Sequence, residues 1–169
     1  MSVRDFIEKN YRHFNAGALA QCGDSLRGFL DGGGRLMVTL AGAMSTAEIG
    51  RTLAPAIRAQ RVHAICCTGA NLEEDLFSLV ARSHYESIAD WRELTASDEV
   101  ELRERGMNRV TDVAIPEEAA IRLIEAPLMS LWEDAEAVGD RRFPHEYLYD
   151  LLLHGDLEFD ADPSESWLM

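Results

Sequence analysis

Apolar positions recur at helical spacing near the start of the chain. Val3, Phe6, Ile7, Tyr11 and Phe14 fall on one face of a helix over residues 3–14, with Ser2 as its N-cap. Asn15-Ala16-Gly17 breaks that helix, and a second runs on to Leu30, where Asp31 and three glycines signal a turn. The pattern then changes period. Residues 35–42, RLMVTLAG, are a short apolar run with β-branched residues, which predicts a buried strand. Residues 44–60 read as helix, capped by Ser45 or Thr46 with Glu48 three residues after Ser45; Pro55 inside the segment implies a kink or a displaced boundary. VHAICCTG (62–69) predicts a second buried strand, and LEEDLFSLVARSH (72–84) the helix after it.

The order strand, helix, strand, helix over residues 35–84 predicts parallel strands joined by a helical crossover, the unit of a doubly wound sheet. Further on, Thr95 and Asp98 have capping-box spacing and Gly106 stops the helix they open. MNRVTDVAIP offers a third, short strand. Pro116 begins a long helical region, kinked at Pro127, and FPHEYLYDLLLHG predicts a helix ending at Gly155. Asp162, Pro163 and Glu165 start one more helix, after which Trp167, Leu168 and Met169 are apolar and should continue or pack onto something. The expectation is one α/β domain over 1–169, a helical lead-in (1–34) followed by an α/β part (35–169). Its Rossmann-like doubly wound parallel sheet is incomplete, because three strands are fewer than such sheets carry, so the chain reads as part of a larger fold.

Composition narrows the function classes. With 169 residues and 47% hydrophobic content the chain can bury a real core. No apolar stretch is long enough to span a bilayer, and the charged, amphipathic start is not a secretory signal, so a cytoplasmic protein without membrane contact is expected. A net charge of −14 argues against nucleic acid and suits a polycationic ligand or a basic partner. Cys22, Cys66 and Cys67 read as small buried hydrophobes in a reducing compartment, and no Cys or His pair has metal-ligand spacing. Lys9 is the only lysine.

In an open α/β sheet, ligands bind beyond the carboxyl ends of the strands, at helix N-termini. Two such places are legible. In LAGAMSTAE, Gly42 and Ala43 permit close backbone approach, and Ser45 and Thr46 can donate hydroxyls beside a helix start that favours phosphate. In CTGANLEED, Thr68, Gly69 and Ala70 again make a small-residue turn. Neither is a G-x-G-x-x-G fingerprint, and ordinary tight turns would look the same. Glu73, Glu74 and Asp75 then follow in a row. Three consecutive acids repel one another and one helix end cannot bond them all, so either some face ribose hydroxyls or an amine, or all are plain helix-start acids favoured by the dipole.

MVTLAGAMSTAEIG, HAICCTGANLEEDLF, RERGMNRVTDVAIPEE and FPHEYLYDLL together resemble the amino-terminal half of deoxyhypusine synthase and its bacterial deoxyhypusine synthase-like relatives, and FIEKNYRHFNAGAL resembles the bacterial branch. The similarity runs over almost all of the chain and about half of a full-length member. It implies an NAD-dependent aminobutyl transfer, in which NAD takes a hydride from spermidine and the aminobutyl group passes through an enzyme lysine to an acceptor amine. That acceptor is a lysine of the hypusine-bearing translation factor or, in some relatives, putrescine. By the resemblance, the NAD-contacting segments fall on Gly42, Ala43, Met44, Ser45 and Thr46 and on Thr68, Gly69 and Ala70. The acidic pair facing the NAD ribose and the polyamine falls on Glu73 and Glu74, and Asp75 is taken as a helix-start residue. The synthases carry a Ser-Asn pair where Gly42 and Ala43 stand. Asn108 and Arg109, in the family's Gly-x-Asn-Arg signature, read as structural, as do His63 and His145.

The family's imine-forming lysine sits in a Trp-Gly-Lys motif that does not occur here. Lys9, among Arg4, Asp5 and Glu8 on a polar helix face, lacks the burial that makes a lysine nucleophilic, so no catalytic residue is assigned to this chain. Two readings follow. The chain is half of a split aminobutyl transferase whose carboxy-terminal-half polypeptide brings the lysine, in a tetramer-type oligomer. Alternatively, it is a non-catalytic remnant or regulatory subunit docking on a full-length homologue. An unrelated nucleotide-binding α/β enzyme is disfavoured by the absence of a Walker motif or nucleophile elbow.

Overall fold

Strand β1 (Met37–Leu40) pairs in parallel with β2 (Ala64–Cys67), Met37 opposite Ala64 and Leu40 opposite Cys67, in the computed structural model, which describes residues 1–169. Helix α3 (Gly50–Arg58) makes the crossover and α4 (Gly69–Ala81) follows β2, as the strand–helix alternation predicts. The fold is mixed α/β with a small parallel sheet. The strands differ from expectation in burial. Along each, exposed residues (Met37, Thr39, Ala64, Cys66) alternate with half-buried ones (Val38, Leu40, Ile65, Cys67), so one face meets the core and the other is bare. An all-apolar run hides this alternation, because the bare positions are themselves mostly apolar. The cysteines are accordingly not buried hydrophobes: Cys22 and Cys66 are exposed and Cys67 is half-buried.

The helix boundaries also move. Residues 42–49 are turns, with Ala43 and Glu48 in the left-handed region, and α3 begins only at Gly50. Its N-cap is Ile49, with no side-chain bond, so neither Ser45 nor Thr46 caps it. Pro55 thus lies inside a shorter helix than the one read from 44–60. Helix α4 starts at Gly69, three residues before the predicted start. That displacement puts Glu73, Glu74 and Asp75 in its second turn, beyond the reach of the N-terminal dipole.

Residues 107–116 are not one strand but a hairpin. Strand β4 (Met107–Val110) and β5 (Val113–Pro116) pair antiparallel around Thr111 at φ +61°, and the two-residue β3 (Glu86–Ser87) lies on the other edge of β5. This antiparallel sheet, ordered β3-β5-β4, is separate from the parallel pair. Helix α5 (Ala96–Glu104) has the predicted Thr95–Asp98 capping box and ends before Gly106 at φ +71°. After β5 the chain winds as a π-helical turn (Glu117–Arg122) before α6 (Leu123–Val138), so the irregular winding precedes Pro127 rather than centring on it. Helix α7 (Pro144–His154) ends at Gly155, as read.

The core is built around α4. Leu76, Leu79 and Ala81 are almost fully buried and pack with Ile124 and Leu128 of α6, Leu148 and Leu151 of α7, and Leu53 of α3. Trp167 and Leu168 join this core. The predicted last helix is only a three-residue 3-10 turn, Pro163–Glu165, with Asp162 accepting from Ser164 N at 2.8 Å. The lead-in behaves in the opposite way. Helix α1 (Val3–Asn10) has the Ser2 cap, closed as a capping box with Asp5, and α2 (Phe14–Asp31) follows a break at Tyr11–His13 rather than at 15–17. No residue of α1 is buried and only Gly17 of α2 is, while Phe14 is 97% exposed. No helix is long and apolar enough to cross a membrane.

Candidate functional site

The parallel pairing of β1 and β2 carries their two following turns to the same end of the sheet, and Asn71 locks them together. Its Oδ1 accepts from Met44 N at 3.1 Å and Ser45 N at 3.2 Å, and its Nδ2 donates to Ala41 O and to Thr68 Oγ1. Ser45 Oγ donates back to Asn71 O at 2.6 Å. Asn71 has no exposed surface, so each of these bonds replaces one that water would otherwise make. Sequence reasoning passed over Asn71. Its signal was a lone amide at the third helical position behind Thr-Gly-Ala, facing a turn that needs several donors and acceptors satisfied.

Beside this staple, Thr46 N donates to Glu74 Oε2 at 3.1 Å, tying the first turn to the acidic segment. The Thr46 hydroxyl is buried and has no partner within the protein. The same holds for Tyr85 Oη, whose phenol is held protonated far above its ordinary range by burial and by the charge of Glu74. Glu73 is exposed in the second turn of α4, and partial desolvation of its carboxyl together with the neighbouring Glu74 raises its pKa above the ordinary glutamate range. A cation placed there would counter the repulsion between Glu73 and Glu74 and favour the charged carboxylate. Gly69 and Ala70 are exposed at the start of α4 and Thr68 makes no side-chain cap, so the first amides of a thirteen-residue helix face outward. Added Cβ atoms at Gly42 and Gly69 would meet nothing, which leaves open space over both turns.

The predicted residues thus separate into groups. Met44, Ser45, Thr46, Thr68 and Glu74 are joined by direct or Asn71-mediated hydrogen bonds; Gly42, Ala43, Gly69 and Ala70 form the turns above them; Glu73 stands at the exposed rim. Asp75 is a correction. It is 5% exposed and accepts from Ser166 Oγ at 2.5 Å and Leu168 N at 3.2 Å, so it fastens the C-terminal segment instead of complementing a helix dipole. Burial raises its pKa despite those bonds and despite Arg82. Trp167 Nε1 donates to Ser45 Oγ at 3.0 Å, and a Cβ at Gly50 would lie 2.4 Å from Glu165 O, so only glycine lets the segment come this close. Around it, Arg82 pairs with Glu48 and Glu165, and Arg58 donates to the Ser164 carbonyl at 2.5 Å.

The remaining polar candidates have local partners. Asn108 donates to Glu117 at 2.7 Å, Arg109 pairs with Glu99, and His63 Nδ1 accepts from Leu36 N at 3.2 Å. His145 stacks on Phe143 with ring centroids 5.7 Å apart. Lys9 sits exposed on α1.

Two strand–helix turns, locked face to face beside an acidic pair, define a candidate site for an anionic ligand next to a cationic one. The family model described as "DS: Deoxyhypusine synthase" matches residues 7–151, most of the chain. The chain therefore belongs to the deoxyhypusine synthase family, whose chemistry is aminobutyl transfer. No curated protein matches it.

Proposed function

We propose that this chain supplies the NAD- and polyamine-binding corner of an NAD-dependent aminobutyl transfer from spermidine to an acceptor amine, on a Rossmann-like framework completed by a second polypeptide. The observation that carries this reading is the juxtaposition of Thr46 and Glu74: a buried hydroxyl without a partner next to a carboxylate tied to its own backbone amide. These residues fit a dinucleotide. The outward amides of Gly69 and Ala70 suit phosphate oxygens, Glu74 suits ribose hydroxyls, and the Thr46 hydroxyl would gain the bond it lacks. NAD, when bound, supplies a hydride acceptor. Glu73 holds an ammonium group of the polyamine at the rim and thereby orients the carbon chain. Asn71 keeps the two turns at fixed separation and touches neither ligand. Lys9 takes no part, so the residue that carries the aminobutyl group lies outside residues 1–169.

A second reading, a non-catalytic remnant or regulatory subunit, draws on Ser45. Its hydroxyl is buried, donates to Asn71 and accepts from Trp167, which leaves it no role toward a ligand in this arrangement. Quenching of tryptophan fluorescence by NAD separates the two, because Trp167 lies against Ser45. The first reading expects saturable quenching, weakened about tenfold, the equivalent of about 1.4 kcal/mol, by Glu74→Gln or Thr46→Val. Absence of saturable NAD binding, alone and with a carboxy-terminal-half polypeptide present, selects the second.

A further inference from the structure

Two buried hydroxyls without a partner are gathered at Glu74, and Tyr85 supplies one of them. Tyr85 lies between two fixed elements. Its amide donates to Arg82 O at 3.2 Å, in the 3-10 turn (Arg82–His84) that continues α4, and the next residue, Glu86, pairs with Ala114 of β5. Its ring packs against the main core. The side chain is thus held from both ends and carries its hydroxyl inward. There burial, and after it the charge of Glu74, keeps the proton on the phenol against the opposing charge of Arg82. Thr46 N donates to Glu74 Oε2, so the other unpartnered hydroxyl, Thr46 Oγ1, belongs to the same neighbourhood.

The mismatch is one-sided. Both hydroxyls can donate, and a carboxylate offers about four acceptor positions, of which Glu74 uses one, for Thr46 N. Glu74 also lacks a cation. Arg82, whose charge reaches Tyr85, is paired with Glu48 and Glu165 instead. A neutral donor holds a carboxylate in place without cancelling its charge, which an arginine would do. A phenol that keeps its proton beyond the ordinary tyrosine range suits that task. A buried donor left unpaired costs stability, and such a cost beside a ligand site marks a group whose acceptor is brought into reach by the ligand. We propose that Tyr85 is a positioning residue for Glu74: on ligand binding its hydroxyl donates to the Glu74 carboxylate and fixes the orientation in which that carboxylate receives protons from the ligand. This role rests on the reading of the two turns as an NAD site, to which it adds a residue that touches no ligand.

The test is a double-mutant cycle on the whole chain, with NAD as the probe and tryptophan quenching as the readout. Tyr85→Phe keeps the ring in the core and removes only the hydroxyl. It should weaken NAD binding about tenfold in the parent, and by no more than about twofold in a Glu74→Gln background, where the charge that strengthens the bond is gone. The near-ultraviolet difference spectrum on NAD binding should carry a tyrosine feature that Tyr85→Phe abolishes. Without ligand, Tyr85→Phe should leave the denaturation midpoint unchanged or raise it. Equal losses in the parent and in Glu74→Gln overturn the proposal, because the effect then lies in the fold. Unchanged NAD affinity in Tyr85→Phe overturns it as well. So does a lowered midpoint of the free variant, which would mean that the hydroxyl is already bonded there. Failure of NAD to bind the parent, alone and with the carboxy-terminal-half polypeptide, defeats the NAD reading and this role with it. The two failures are told apart because one appears in the parent and the other only in the variant.

Discussion

The two ends of the chain are opposites. Residues 1–34 have the stronger amphipathic pattern, yet α1 and α2 bury almost nothing and leave Phe6, Phe14, Leu19 and Phe29 in water. Residues 163–169 have hardly any pattern, yet Ser166, Trp167 and Leu168 are buried. The difference is the availability of a partner within the fold. The C-terminal segment finds Gly50, Asp75, Arg58 and Ser45 presented by α3, α4 and the turn before them. The lead-in finds no comparable surface. A hydrophobic stripe states what a helix can bury, while burial itself is decided by what stands opposite.

The comparison can be broken most forcefully at Trp167, which is 7% exposed and both packs in the core and donates to Ser45. Trp167→Ala should cost about 3–5 kcal/mol, read as a lowered midpoint in chemical denaturation. A cost as small as that of a surface substitution would show that the C-terminal segment is not part of the core. The next largest effect falls on its fastening. Asp75→Ala leaves the Ser166 hydroxyl buried without an acceptor and leaves Leu168 N only its second bond, to Ser166 Oγ, at about 1–3 kcal/mol in all. Asp75→Asn keeps an acceptor and should cost less.

Asparagine also sharpens the electrostatic part of the account. Burial raises the folded-state pKa of Asp75 above that of the unfolded chain, so the folded state binds more protons across the interval between the two. The contribution of Asp75 to stability is therefore fully present below the ordinary aspartate range and is lost as pH rises through the raised folded value. Glu73 contributes in the same direction. Denaturation profiles of Asp75→Asn against the parent should lose the Asp75 share of that decline and keep the rest; identical profiles would mean that Asp75 ionises as freely folded as unfolded. The smallest effect is expected at the other end of the chain. Phe14→Ser should change stability by no more than about 0.5 kcal/mol, since the side chain is as exposed folded as unfolded. A larger loss would show that the lead-in is covered in solution.

Much of this fold was legible, and the misses share a cause. The β1–α3–β2–α4 order, the Ser2 and Thr95 caps and the helix before Gly155 follow from local signals, and the structure has them. Those signals concern neighbours a few residues apart. The start of α3 at Gly50, the burial of Asp75 and the stapling role of Asn71 depend on contacts with residues far along the chain, and no periodicity encodes these. The hairpin of β4 and β5 was read as one strand because Thr111-Asp112 is a weak turn signal beside glycine or asparagine. At the candidate site, the strand–helix alternation pointed to the two turns, and the family resemblance to the acidic pair Glu73 and Glu74. It could not say that Thr46 would be left without a partner, or that Ser45 would be occupied by Trp167.

The central claim is that this chain forms a binding corner without the residue that carries the aminobutyl group. Intact mass after incubation with NAD and spermidine and reduction with borohydride tests it most directly. The account predicts that the chain alone keeps its mass, because Lys9 lies exposed on α1, a helix with no buried residue, apart from the turns that would bind the ligands. A covalent aminobutyl adduct on this chain, located at Lys9 by fragmentation, would contradict it.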